Sequence, residues 1–216
     1  GDSNYWEYRI REIPWNVLDT STVGKVTDTV GDYGDAAVMT VTRYTSEDGD
    51  TDFDPTVDYG KSIYNDNNLD GNYMDLSADE HKVLEELIKL KKSGTVKRVV
   101  LLMNTASPLQ MKNIRKMDID ACVWLGMGGS ASYAQIADVL SGAIAPSGHL
   151  ADTLAYDHYS SPVTENFGDE TFDGSLAGLP ATNKMTHNTK TLVYQEGIYM
   201  GYRYYETRYE DLVTGN

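Results

Sequence analysis

Residues 77–103 constrain the fold more than any other stretch, because they join a complete helix signal to a complete buried-strand signal. Ser77 and Glu80 form a Ser-x-x-Glu capping box, in which hydroxyl and carboxylate each satisfy a backbone N–H of the first helical turn. Val83, Leu84, Leu87 and Ile88 fall on one helical face, and Gly94 supplies the residue that closes such a helix. Residues 96–103 follow at once and are rich in β-branched and apolar side chains. A strand with no polar face must be covered on both sides, and a parallel sheet sandwiched between helices provides that cover. The pair predicts an α/β domain: a three-layer α/β/α sandwich with a mostly parallel sheet.

The remaining pattern repeats this alternation. Ala36, Ala37, Val38 and Met39 open a second apolar strand over 36–42. Residues 108–116 read as a short helix, 121–125 as a buried strand, and 132–140 as a helix ended by Gly142. Upstream, 6–10 alternates like a strand, while Val17, Leu18, Val23, Val26 and Val30 predict a helix over 15–30. Two stretches break the rhythm. Residues 46–76 form a long excursion rich in Asp, Asn, Gly and Tyr, and loops of that length are functional or mobile. Residues 156–192 are irregular, before Tyr, Ile and Met alternate again over 194–206, read as a strand leaving the domain. The whole of 1–216 is read as one α/β-sandwich domain.

Composition excludes several classes of function. With 33 acidic and 18 basic residues the net charge is −15, so nucleic acid and anionic membranes are poor partners. No apolar run approaches the roughly 20 residues of a membrane-spanning helix. Cys122 is the single cysteine, which removes an intrachain disulfide and a thiolate zinc cage. Its neighbours Ala121, Val123, Trp124 and Leu125 predict a small buried hydrophobe. Tyrosine, at 16 residues against 3 Phe and 3 Trp, suits surfaces that are half apolar and half hydrogen-bonding, such as sugar sites or domain interfaces.

Three motifs carry possible chemistry, each beside a plainer alternative. Glu47, Asp48, Asp50 and Asp52 crowd around Gly49 just past the strand at 36–42. Like charges so close raise at least one pKa, and a carboxyl kept protonated at a strand's C-terminal edge is a candidate general acid. A solvated acidic loop fits the same residues. Gly126, Gly128 and Ala131 fit the loose dinucleotide pattern between a strand and a helix, where backbone N–H groups could hold a phosphate. A tight strand-to-helix turn explains these glycines equally well. Asp66, Asn68, Asp70 and Gly71 match half of a calcium loop, but the twelfth position is Ser77 instead of a bidentate Glu. His81, His149, His158 and His187 show no metal-ligand spacing, so neither metal nor cofactor is expected.

Several segments, in order, resemble the α/β-sandwich domain of glycoside hydrolase family 3, the β-glucosidase family. Residues 99–109 (Val-Val-Leu-Leu-Met-Asn-Thr-Ala-Ser-Pro-Leu) are similar to the family's strand that ends in Asn and runs into Ser-Pro-Leu. Residues 137–153 contain Ala-Asp-Val-Leu-Ser-Gly and Pro-Ser-Gly-His-Leu, where the family has Ala-Asp-Val-Leu-x-Gly and Pro-Ser-Gly-Arg-Leu. Residues 194–205, with Glu-Gly-Ile-Tyr-Met-Gly-Tyr-Arg-Tyr-Tyr, resemble the segment that leaves the domain. The matches span roughly residues 35 to 206.

The resemblance implies an acid/base on this domain, in a loop close to Ser-Gly-Glu-Gly-x-Asp-Arg. The matching residues run from Thr45 to Thr51, so Glu47 falls on the acid/base and Asp50 on the Asp three places later, a substrate-binding candidate. Ser46 and Asp48 replace two glycines, and Thr51 replaces the Arg. The family's nucleophile is an Asp in a Ser-Asp-Trp-like motif on a (β/α)₈ barrel, and this sequence contains neither. A retaining glycosidase needs two carboxyls about 5–5.5 Å apart. The resemblance therefore implies half of an active site: a retaining, exo-acting β-glycosidase domain, inactive alone, with a β-linked glucoside or related oligosaccharide as substrate and the barrel of the same protein as partner. A non-catalytic sugar-binding or scaffold relative and a dinucleotide-binding domain are the alternatives.

Overall fold

The computed structural model describes residues 12–20, 25–43, 74–129, 133–165, 170–171, 190–191 and 194–209. By contact the chain divides into two compact units, Gly1–His149 and Leu150–Asn216.

The first unit is built on three parallel strands in the order β1-β2-β3: β1 (Ala37–Thr42), β2 (Val99–Asn104) and β3 (Ala121–Trp124). Ala37 pairs with Val99 at the start of β1, and Val100 pairs with Ala121 across the second ladder. Strand β2 is central and buried from Val99 to Met103, which is why it needs no polar face. Before β1 come helices α1 (Trp15–Leu18) and α2 (Val26–Thr29) and a 3₁₀ turn, Val30–Tyr33.

Helix α3 (Ala78–Lys92) realises the capping box in full. The Ser77 hydroxyl accepts from the Glu80 N–H at 3.1 Å and the Glu80 carboxylate accepts from the Ser77 N–H at 2.7 Å. Gly94, at φ +79°, closes the helix in the left-handed region as expected. Val83, Leu84, Leu87 and Ile88 are buried with Met39 and Val41 of β1, Val99 to Met103 of β2, and Met74, Leu76, Val96, Leu109 and Ile114. Lys91 ties the last turn to the loop entering β3 through Asp118 at 3.0 Å and Asp120 at 2.9 Å. Asp120 also accepts from the Val99 N–H at 2.8 Å, joining the starts of β2 and β3.

Three local expectations for this unit are corrected. The helix predicted over 15–30 is two separate single turns, α1 and α2. Asp19 ends the first of them, and its carboxylate accepts from both the Thr27 N–H (3.0 Å) and hydroxyl (2.7 Å). Such side chains offer the backbone an alternative to helix. The helix predicted over 108–116 shrinks to a 3₁₀ turn, Ile114–Lys116. Leu109 and Gln110 are buried instead, and the Gln110 N–H donates to the Met74 carbonyl at 2.8 Å, a long-range bond that fixes this stretch against the chain entering α3. Cys122 is exposed, because β3 is an edge of the described sheet and covered only in part. Helix α4 (Tyr133–Ser141) follows β3 as expected and ends at Gly142, φ +79°. The strand predicted over 6–10 lies outside the described residues.

In the second unit Asp157 caps a 3₁₀ turn, His158–Ser160, through the Tyr159 N–H, and α5 (Pro162–Glu165) follows. Two-residue strands β4 (Glu170–Thr171) and β5 (Lys190–Thr191) pair antiparallel. The strand predicted over 194–206 is not extended. Gly197 and Gly201 adopt φ of +59° and +56°, turning the chain, and Tyr202–Tyr209 is helix α6. The alternation misleads because Tyr194, Ile198, Tyr199 and Met200 are all exposed. What holds α6 is Tyr204, buried, its hydroxyl donating to the Ser160 carbonyl.

Candidate active site

In an open parallel sheet, function gathers where the strands' C-terminal ends release their loops. Here that edge comprises Arg43 after β1, Thr105 to Gln110 after β2, and Leu125 to Gly129 after β3. The Trp124 indole donates to the Thr105 carbonyl at 2.7 Å, and the Thr105 hydroxyl to the Ser107 carbonyl at 2.7 Å. The Tyr133 hydroxyl meets the Asn104 side-chain oxygen at 3.1 Å, linking the start of α4 to the end of β2. Gly126 stands at φ +63°, so the strand-to-helix turn itself requires a glycine there. Met127 beside it is exposed. Ala131, the last residue of the dinucleotide pattern, lies outside the described residues.

Glu47 and Asp50 also lie outside them, within 44–73, as does the half calcium loop. The structure does describe both residues from which that segment departs and to which it returns. Arg43, immediately after β1, is buried, and its guanidinium engages both oxygens of the Glu80 carboxylate at 2.6 and 2.7 Å. The same guanidinium donates to the Asp75 carbonyl at 2.6 Å and to the Thr42 carbonyl at 3.0 Å. Asp75, fully buried, accepts on one carboxylate oxygen from the Leu76 N–H at 2.7 Å. Its other oxygen accepts from the Gln110 and Asn113 amides, each at 2.7 Å. Buried charge needs a counter-charge or hydrogen bonds to survive: Arg43 and Glu80 pair with each other, and Asp75 is held by three hydrogen bonds.

This network escaped the sequence reading. The capping box accounts for Glu80 on its own, yet one carboxylate performs both tasks. The available signal was Arg43, a long cation at the end of an apolar strand and beside a run of acids. Nearby, burial raises the pKa of Glu12, with the charges of Glu80 and Asp79 adding to it. Among the described residues no cluster of His, Cys, Asp and Glu could hold a metal ion, and no helix is long and apolar enough to cross a membrane.

Comparison with known proteins agrees with this architecture. The model of the glycosyl hydrolase family 3 C-terminal domain matches residues 22–202. A beta-glucosidase of Ruminococcus albus is 30% identical over 129 residues, which are 60% of this chain and 12% of that protein. Beta-glucosidase A of Butyrivibrio fibrisolvens is 22% identical over 213 residues, 93% of this chain and 22% of its own length. Among solved structures, beta-glucosidase 3B from Thermotoga neapolitana in complex with glycerol superimposes with a TM-score of 0.63 at 25% identity. The match covers 95% of this chain and 24% of that one. A beta-glucosidase from Paenibacillus barengoltzii gives a TM-score of 0.63 at 24% identity, over 96% of this chain and 18% of its own, a likeness of fold. The chain thus spans 12% to 24% of the length of these relatives. With a family model covering most of its length and the parallel α/β architecture to match, the chain belongs to glycosyl hydrolase family 3, as a C-terminal-type α/β domain of that family.

Proposed function

We propose that this chain supplies the acid/base to a retaining, exo-acting β-glycosidase of the β-glucosidase type, with Glu47 in that role and Asp50 contacting substrate. The observation that carries the reading is positional. Arg43 closes β1 at the C-terminal edge of the sheet, and Glu47 follows four residues later in the loop that matches the family's acid/base segment. Glu47 protonates the departing glycosidic oxygen, then takes a proton from the water that releases the sugar. The first task needs a carboxyl that stays protonated, and the neighbouring Asp48, Asp50 and Asp52 push in that direction.

The nucleophilic carboxylate comes from a (β/α)₈ barrel elsewhere in the same protein. The substrate is a β-linked glucoside or related oligosaccharide, in keeping with relatives named as beta-glucosidases. The isolated 216-residue chain accordingly hydrolyses no aryl β-glucoside above background. Turnover by pure chain that a substitution within it abolishes would overturn the half-site reading.

The test in the full-length enzyme is Glu47→Gln. Turnover of a β-linked disaccharide falls by roughly 10²–10⁴-fold. Glycosylation by an aryl glucoside with a good leaving group falls less, and azide partly restores breakdown of the glycosyl-enzyme. Asp48→Asn serves as the loop-charge control, while Asp50→Asn raises KM without changing the leaving-group dependence. Should Glu47→Gln cleave the disaccharide at the wild-type rate, the acid/base assignment is wrong and residues 45–51 are a solvated acidic stretch without that role.

A further inference from the structure

Arg43 directly precedes residues 44–73 and Asp75 follows them by two places, and a hydrogen bond of 2.6 Å joins the two. The base of a 30-residue excursion is therefore closed by a buried cation. The enclosed segment carries eight carboxylates and a single lysine, Lys61. Held alone, Arg43 would fix one end. The structure ties it to three elements at once: to β1 through Thr42, to the N-terminus of α3 through Glu80, and to the returning chain through Asp75. Asp75 is fixed in turn by Gln110 and Asn113, from the loop after β2.

A planar guanidinium bound in three directions sets not only where the chain leaves the sheet but at what angle. Glu47 lies four positions beyond Arg43, a reach of about 14 Å at most. A change in exit direction would displace Glu47 over that lever. Proton transfer to a leaving group tolerates little such error, since about 1 Å of misplacement can cost 10²-fold in rate.

We propose that the Arg43–Glu80–Asp75 network is the positioning device of the acid/base loop, with Arg43 acting through Glu47 on protonation of the leaving group. The proposal rests on the reading of Glu47 given above. An ion pair with a purely structural duty can be replaced by uncharged groups without functional loss, whereas a directional clamp cannot.

The test uses three variants of the full-length enzyme, with Glu47→Gln measured beside them. Arg43→Lys keeps the charge and loses the fork. Arg43→Met removes both, and where it fails to fold, the neutral pair Arg43→Met with Glu80→Gln keeps the capping box without a stranded carboxylate. Expected for Arg43→Lys and for the neutral pair is a fall of about 10–100-fold in kcat on a β-linked glucose disaccharide. KM changes little, glycosylation by a dinitrophenyl β-glucoside changes less than about threefold, and the basic limb of the pH profile shifts. Equal losses on both substrates with an unmoved pH profile, or wild-type kinetics in the neutral pair, would overturn the proposal. If Glu47→Gln shows the acid/base signature and the Arg43 variants do not, only the positioning role falls. If Glu47→Gln itself is silent, both readings fall together.

Discussion

Helices α3 and α4 occupy similar places in the chain, each bordering a parallel strand, yet they obey opposite rules. Helix α3 is rich in charge, and still buries Val83, Leu84, Leu87 and Ile88. Helix α4 is the more apolar in composition, with Tyr133, Ala134, Ile136, Ala137, Val139 and Leu140 against one charge at Asp138, and buries no residue. Apolar content therefore does not decide burial; a matching surface does. Strands β1 and β2 offer that surface to α3, while the described part of this chain offers α4 none. An apolar helix left open marks a face that a further surface is expected to cover.

The comparison breaks most visibly at Leu84. Leu84→Ala should destabilise the chain by about 2–5 kcal/mol, read as a lowered Tm or denaturation midpoint. A loss below about 1 kcal/mol would mean that α3 does not organise the core as its burial implies. Ser77→Ala removes the hydroxyl that caps α3 and should cost about 1 kcal/mol in the same assay.

Acid tests the tether between α3 and the sheet. The Val99 N–H and then Lys91 hold Asp120 below the usual carboxylate pKa. The unfolded chain thus takes up this proton at a higher pH than the folded one. The contribution is present in full above pH 3.8, the ordinary Asp value, and disappears as pH falls through the lower folded value. The stability gap between wild type and Asp120→Asn should be constant near neutrality and close under acid. A gap that widens as pH falls would reverse the assignment. The smallest effect belongs to α4: Leu140→Ser should change the stability of this chain by no more than about 0.5 kcal/mol. In the full-length protein the same substitution should cost more, and equal effects in both would show that α4 stays uncovered.

The same contrast explains what could be read from sequence. The capping box, Gly94 and the apolar run of β2 are local signals that tertiary structure reinforces, and all reappear. Cys122 and residues 194–206 misled because apolar pattern was equated with burial, whereas β3 is an edge and α6 relies on Tyr204 alone among its described buried side chains. Residues 108–116 misled because Gln110 answers to Met74 and Asp75, partners about 35 residues away in sequence that no local window contains. Glu47 and Asp50 were legible by resemblance. The network behind them was not, since Arg43, Asp75 and Glu80 meet only after the sheet and α3 have packed.

The sheet's register also bears on the order of assembly. Between Val100 and its partner Ala121 lie about 21 positions of chain, between Ala37 and Val99 about 62. Closing the longer loop costs roughly 1 kcal/mol more in chain entropy, so β2 and β3 should associate before β1 joins them. Low φ-values at Val41 beside higher ones at Leu101 would be the kinetic signature. Until β1 docks, Arg43 does not reach the buried Glu80 carboxylate. Among the three strands, the one nearest the proposed chemistry is thus the last to be put in place, and a chain arrested short of that step would carry β2 and β3 paired without the strand that leads to the proposed acid/base.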